Sequence, residues 1–284
     1  MNCINPLIAM RTMIVLLSII FLRSQAVQTD DGLVQNVEKW HTERVTGLKK
    51  EHGWLSLIAL DWLKEGENSI PAIGTISIRK QSVKLVLKKD LAGKLNGNTF
   101  TSGPLIPDKD KVVIGSRALQ VIERGGKYAV RIWDAESDAR KKFSGIDRYP
   151  VMERWRITAR WEPYSTPKTI EIPTVIPGLI QKGIVPGAAV FIMNGIEYKL
   201  EPTAEEGSKE LFFVFGDRTN GKETYGAGRF LYAGPPENGT IVLDFNRSYN
   251  PPCVFSDYAT CPVPTKENRL PVRIEAGEKN YKHH

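Results

Sequence analysis

The sequence predicts a mainly β fold: antiparallel sheets, sandwich or barrel-like, behind one amino-terminal helix and closed by a Pro-rich carboxyl-terminal segment. Three observations carry this. From residue 82 onward, short runs alternate apolar with polar side chains, the period of a half-buried strand. Pairs of such runs meet at Gly125-Gly126 and at Asn194-Gly195, dipeptides that accept the positive φ of a two-residue hairpin turn. The one clear helical period lies ahead of them all, where Val34, Val37, His41, Val45 and Leu48 recur at spacings of three and four.

The chain opens with Arg11, an apolar run from Met13 to Leu22, and then Arg23-Ser24-Gln25-Ala26. A basic residue, a short apolar stretch and a small-x-small ending read as a signal peptide cleaved after Ala26. The run is shorter than the roughly 20 apolar residues of a membrane-spanning helix, so no stable membrane span is expected after cleavage. Either Met1 or Met10 is the start, since Arg11 alone would supply the charged region. The expected location is periplasmic or secreted. Cleavage removes Arg11 and Arg23 and no acid, so the formal charge of +7 falls by two. The remaining positive charges are scattered rather than striped, which gives no reason to expect a nucleic-acid partner.

After the signal peptide, Asp30 or Asp31 caps the helix and Gly53 ends it, as short polar side chains and glycine do at helix termini. His41, on the apolar seam beside Trp40, reads by default as a packed, hydrogen-bonded core residue. Trp54 to Leu63 is nearly all apolar and suits a segment buried on two sides, with helix and strand undecided. Strands follow: Val83, Leu85 and Leu87 alternate, Ala118–Arg124 and Lys127–Asp134 flank the first hairpin, and Val190–Met193 and Ile196–Leu200 flank the second. Trp155, Ile157, Ala159 and Trp161 share one strand face, opposite Arg154, Arg156 and Arg160. Leu211–Phe215 and Ile241–Phe245 complete the set. The resulting organisation is residues 1–26 as signal peptide, 27–66 as helix and buried segment, 67–145 as a first β region, and 146–284 as a second with the closing segment.

Chemistry is harder to place. The four histidines, His41, His52, His283 and His284, make no metal-ligand spacing, and no metal is expected. Phosphate-loop, dinucleotide and G-x-S-x-G patterns are missing too, so no cofactor is expected and an α/β-hydrolase is excluded. Polar groups are dense near the carboxyl end. A candidate ligand site takes Asp217, Thr224, Tyr225 and Arg229 from one stretch and Asp244, Asn246 and Tyr249 from another. Tyr and Arg would recognise a small polar or anionic ligand and Asn would orient it. Alternation sets Asp244 and Asn246 opposite Leu243 and Phe245, Arg229 comes within cross-strand reach of Asp244, and Gly226 and Gly228 let backbone approach a guest. The bland alternative is architectural: Asp217 holds its own turn, and Asp244 and Arg229 pair to fix register. Two other functions stay open. One is a cofactor-free hydrolase-type enzyme with Asp217 or Asp244 as base. The other is a cell-envelope interaction protein using the arginine face, whose default reading is a solvated sheet surface. In an oxidising compartment Cys253 and Cys261 are expected to form a disulfide. Closing that short loop would stabilise by about 2.5 kcal/mol.

The carboxyl-terminal residues also carry a resemblance. Thr224-Tyr225-Gly226-Ala227-Gly228-Arg229, Asp244-Phe245-Asn246-Arg247, Tyr249-Asn250-Pro251-Pro252-Cys253, Thr260-Cys261-Pro262 and Asn268-Arg269-Leu270 resemble the domain-of-unknown-function 1684 family. Gly53-Trp54-Leu55, Trp62 to Gly66, and Phe143-Ser144-Gly145 before Tyr149-Pro150 are similar to its front and middle. The likeness runs from about Trp40 to Tyr281. It implies a bacterial source and one contiguous family unit, and assigns no reaction and no catalytic residue. Relatives with the cysteine pair but no obvious signal peptide weigh against a purely disulfide role.

Overall fold

The computed structural model describes residues 31–281; the expected signal peptide, His283 and His284 lie outside the described residues. Helix α1 spans Asp31–Leu48. A 3-10 turn over Trp54–Ser56 follows, then ten strands: β1 Leu57–Trp62, β2 Gly66–Ile70, β3 Gly74–Arg79, β4 Ser82–Leu87, β5 Gly93–Leu95, β6 Asn98–Phe100, β7 Ser102–Leu105, β8 Val112–Ile114, β9 Arg117–Arg124 and β10 Lys127–Asp134. They form a six-stranded sheet, β1-β10-β9-β8-β5-β6, and a four-stranded sheet, β2-β3-β4-β7. The apolar faces of the two sheets close on one core, where Ile76 and Leu85 meet Leu119 and Val130. After a short helix α2, Asp138–Lys142, seven strands make the second β region: β11 Arg156–Pro173, β12 Ile180–Met193, β13 Ile196–Leu200, β14 Thr203–Ala204, β15 Leu211–Phe215, β16 Arg229–Ala233 and β17 Thr240–Asp244. Every pairing among these strands is antiparallel.

Both expected hairpins form in the expected register. Arg124 pairs with Lys127 across Gly125-Gly126, and Met193 pairs with Ile196 across Asn194-Gly195. Asn194 and Gly195 sit at φ 53° and 77°, the left-handed values a type I′ turn demands. The strand alternation of the sequence reappears as burial: Val83, Leu85 and Leu87 are 2%, 0% and 6% exposed. The segment from Trp54 to Leu63 resolves into a 3-10 turn and an edge strand. Its far end, Asp61-Trp62, is exposed, so it is not covered on two sides. An apolar run with no second sheet beyond it ends in solvent.

The closing segment makes few regular elements yet fills the second core. Leu270, Ile274 and Ala276 pack on Phe213, Phe215, Leu231, Leu243 and Phe245. Each fully buried Phe contributes roughly 1.5–3 kcal/mol relative to exposure. Isolated bridges stitch the segment down at Thr174–Pro262, Gly216–Arg269 and Arg148–Glu278. Proline has no N–H and cannot sustain a ladder, so a Pro-rich chain crosses a core in single bridges of this kind. On the other side of the closing segment, Leu48 at the end of α1 joins Leu55, Phe143, Ile146 and Phe255.

Arg229 is the largest side chain with no solvent exposure. Its Nη2 donates to Asp217 Oδ2 at 2.6 Å and to the Ile274 carbonyl at 2.8 Å. Nη1 donates to the Ala276 carbonyl, and the guanidinium lies over the Phe215 ring. Both side chains of the Asp217–Arg229 pair are 0% exposed. Removing one partner strands the other charge in a low-dielectric core, which costs about 3–5 kcal/mol. Arg229→Ala is therefore expected to lower the urea-unfolding free energy by that amount; a loss below about 1 kcal/mol would show that Asp217 finds another partner or water.

Candidate functional site

The structure brings the residues that the sequence grouped as a ligand site together only in part, joining Asp217 to Arg229 and Asn246 to Asp244, whose side chains meet at 2.9 Å. Arg229 pairs with Asp217, not with Asp244, because β16 lies against β15, where Arg229 faces Phe215 in register. Asp244 ends β17 and caps a 3-10 turn, accepting from the Asn246 N–H at 3.2 Å. Asn246 is therefore off the strand, and the shared face expected for Asp244 and Asn246 does not exist. The Asn246 amide instead exchanges two hydrogen bonds with the Met152 backbone, both at 3.0 Å. Thr224 is buried with its hydroxyl on Thr219 Oγ1 at 2.7 Å. The close approach anticipated at the glycines is real but internal. A Cβ on Gly228 would meet Pro264 Cγ at 2.5 Å and the Phe215 carbonyl at 2.7 Å, at φ 101°. The arginine face is divided as well: Arg154 stacks on its neighbour Trp155 in a 3-10 turn rather than on a strand, and Arg160 pairs with Glu162 and Glu197.

Tyr225 and the cysteines form a separate cluster. Both thiols are free, which corrects the expected disulfide. The turn over Pro252–Val254 sets the Cys253 main-chain N–H against Cys261 Sγ at 3.1 Å. The sulfur is thus engaged by a backbone donor instead of a covalent partner. The Cys261 thiol and the Tyr225 hydroxyl donate to Cys253 and lower its pKa against the opposing effect of burial. Cys261 is pushed up by donating to Cys253 and by its own burial. Tyr225 is raised by burial and by the Cys253 contact.

A large concavity lies elsewhere, and none of the proposed ligand-site residues lines it. A polar cleft of about 850 Å³ runs between α1, the loop 144–149, the turn at 222–223 and the chain at 279–281. Main-chain bonds hold its walls together: Tyr149 N–H to the Gly277 carbonyl at 2.9 Å, Lys279 N–H to Asp147 at 2.7 Å, and Asn280 N–H to Glu223 at 2.9 Å. Into this frame project His41, Asp147, Tyr149, Lys222, Glu223 and Lys279. The Tyr149 hydroxyl donates to Glu223 Oε2 at 2.7 Å. Burial, and then that carboxylate, push the phenol up, so it stays protonated and remains a donor. Glu223 is held below the usual carboxylate range by Tyr149 and by Arg273, whose Nη2 lies 2.5 Å away. Arg273 stands outside the cleft lining and is shared with Glu275, 2.9 Å away. Lys279 sits 4.8 Å from the Tyr149 ring centroid. Lys222 makes no salt bridge among the described residues, and its charge acts on the neighbouring Glu223. Lys222 and Lys279 share the lining with the carboxylates of Asp147 and Glu223.

His41 is the cleft residue that the helical period did place, on the seam of α1. Its Nε2 is buried with no hydrogen-bond partner among the described residues, contrary to the satisfied core histidine expected there. Burial first, and then the Arg148 charge, hold its pKa below the usual 6.5, against the pull of Glu278 and Glu38. The other cleft residues gave no sequence signal. They come from loops, where no periodicity marks a side chain's direction.

Comparison with known proteins bears out the resemblance in the carboxyl-terminal part. Residues 141–279 match the family described as "Protein of unknown function (DUF1684)". Tyr149, Lys222, Glu223 and Lys279 fall inside that match; His41 and the front-end residues Gly53–Leu55 and Trp62–Gly66 fall outside it. Among solved structures, the chain is similar to an uncharacterized protein of Haloarcula marismortui determined by solution NMR. That protein is 28% identical, with 49% of this chain and 78% of that chain covered, at a TM-score of 0.42. No curated protein matches.

Two outcomes are expected. His41 binds fewer protons folded than unfolded between its depressed pKa and about 6.5, so stability is full above that value and falls as pH drops through the window. His52, also lowered by burial, acts in the same direction. Urea midpoints measured from pH 7 to pH 5 should decline, and His41→Gln should flatten the decline. An unchanged slope would assign it to other groups. In native protein, Cys253, which is partly exposed, should react with iodoacetamide faster than buried Cys261, and Tyr225→Phe should slow it by removing a thiolate donor. Equal rates at both thiols would contradict the assigned geometry.

Proposed function

We propose that the protein binds a small anionic molecule in the cleft between α1 and the closing segment. One observation carries the reading: the Glu223 carboxylate is engaged by Arg273 and the Tyr149 hydroxyl, whereas Lys222 and Lys279 line a large polar concavity with no salt bridge of their own among the described residues. Ammonium groups held without a carboxylate partner attract anions, and the cleft's volume lies within the range of small-molecule sites. The lysines supply point charges, the two tied segments supply shape, and polar groups along the wall supply orientation. Binding is favoured over the hydrolase-type alternative because both proposed bases, Asp217 and Asp244, are already committed to scaffold contacts. The envelope-interaction alternative has less to stand on, since Arg160 is ion-paired. Among the described residues no helix is long and apolar enough to cross a membrane. Export remains a proposal resting on residues 1–26 alone, and it would present the cleft to solutes outside the cytoplasm.

The test is a thermal-shift series with phosphate, sulfate, citrate and acetate at constant ionic strength. Polyvalent anions should stabilise the protein more than acetate does, and a Lys222→Met, Lys279→Met double variant should abolish the difference while Lys88→Met retains it. Persistence of the full shift in the double variant would place the anion elsewhere. Intact mass of protein recovered from the periplasm is expected to begin at Val27.

A further inference from the structure

A second cavity, of about 390 Å³, opens beside α1 at Trp40 and Arg44. Its walls are aromatic and come from distant parts of the chain. Trp40 belongs to α1 and Trp54 to the following 3-10 turn; Phe212 comes from β15, Phe230 and Tyr232 from β16, and Tyr249 from the stretch after β17. The rings brace one another mainly by their edges. Phe212 and Phe230 meet at 4.8 Å and 78°, Phe230 and Tyr249 at 5.7 Å and 88°. Tyr232 and Tyr249 lie within 13° of parallel with centroids 6.3 Å apart. Such contacts hold the wall in shape and leave ring faces for a guest. Tyr232 is still 36% exposed.

The charges around the cavity narrow the guest. Arg44 is its one charged lining residue, and that charge is answered by buried Glu278 at 2.7 Å. The guanidinium already lies over the Tyr249 ring, 4.5 Å from the centroid, in the position that a bound cation would take. No carboxylate lines the cavity to attract a second cation; Glu205 touches only the Tyr232 hydroxyl, at 3.3 Å. A sugar needs several directed polar partners for its hydroxyls, and this lining is mostly hydrocarbon and ring. Of the guanidinium nitrogens, Nε and Nη2 serve Glu278 and the Asn250 carbonyl, whereas Nη1 has no hydrogen-bond partner among the described residues. Arginine keeps its full set of donors at every physiological pH, so one N–H remains available beside ring faces.

From this geometry we infer a second small-molecule site, distinct from the anion cleft, that takes a neutral planar aromatic or heteroaromatic ring bearing a hydrogen-bond acceptor. The volume, at the lower end of the range for small-molecule sites, suits one or two fused rings. The flat guest packs against Tyr232, Tyr249 and Trp40, and its acceptor meets Arg44 Nη1.

Coumarin, a neutral bicycle with a carbonyl acceptor, is a suitable probe. Titration into the full chain should quench tryptophan emission saturably, and ligand-observed NMR should show its ring protons in contact with protein. Tyr232→Ala, at an exposed position, and Trp40→Ala should each weaken binding by about threefold to tenfold, as expected for the loss of one ring contact. Lys222→Met with Lys279→Met should leave coumarin binding unchanged, which separates this site from the anion cleft. The inference is overturned if coumarin does not bind. It is equally overturned if both ring variants bind it like the parent, or if tetramethylammonium or methyl glucoside binds the same rings more tightly. Near-ultraviolet circular dichroism checks that each variant is folded; should Trp40→Ala fail, Tyr232→Ala alone decides.

Discussion

Glu278 has no exposure to solvent, and the walls of both cavities are arranged around the charge it carries. Arg44 reaches it from α1, the Asn250 N–H donates to it at 2.7 Å, and the Asn250 amide in turn donates to the Lys279 carbonyl at 2.7 Å. A buried carboxylate persists only when paired and hydrogen-bonded. Helix, turn and closing segment must therefore meet at this point or leave a charge unanswered. Because Arg44 enters between Tyr249 and Phe255, its stem and guanidinium also become part of the aromatic wall. His41, three residues earlier on α1, is delivered to the polar cleft by the same docking.

A second buried pair, Asp217–Arg229, does comparable work a few residues upstream in the closing segment, where Arg229 grips the carbonyls of Ile274 and Ala276. The two pairs share a logic. A Pro-rich segment cannot secure itself with a ladder, so charge-assisted bonds to its main chain hold it instead. That accounts for the polar density near the carboxyl end: most of those groups are scaffold, directed at backbone rather than at a guest. Arg131 extends the pattern between the two β regions. It is buried, donates to Thr260 Oγ1 at 3.1 Å and lies over Trp54, and burial lowers its pKa to about 10.

With the closing segment secured in this way, two of the concavities beside α1 differ in character, one lined by lysines and hydrogen-bonding groups, the other by rings. Both abut α1, and the side chains that distinguish them are neighbours in sequence: Trp40 and His41 have ring centroids 6.4 Å apart. A shift of α1 along the groove would therefore alter both. The free thiols behind the aromatic wall, Cys253 and Cys261, pack with Phe230, Trp54 and Tyr249 and are held by hydrogen bonds rather than by a covalent link.

The sequence by itself determined the antiparallel β class, the position of α1 and the register of both hairpins. Each depends on local rules: side-chain period, the positive φ that Asn194-Gly195 accepts, and the spacing of Val37 and Leu48. Likewise the motifs from Thr224 to Leu270 carried a resemblance to the family whose model matches residues 141–279. Only the tertiary structure decided which charges pair. The sequence put Arg229 within cross-strand reach of Asp244, whereas it pairs with Asp217 because β16 lies on β15. The cleft was likewise out of reach, since Tyr149, Lys222 and Lys279 stand on three loops joined by main-chain hydrogen bonds, and irregular backbone has no period from which a direction can be read. Arg44 illustrates the same limit: on the helical wheel it is a charge near the apolar seam, and only the burial of Glu278, 234 residues away, makes it a core residue.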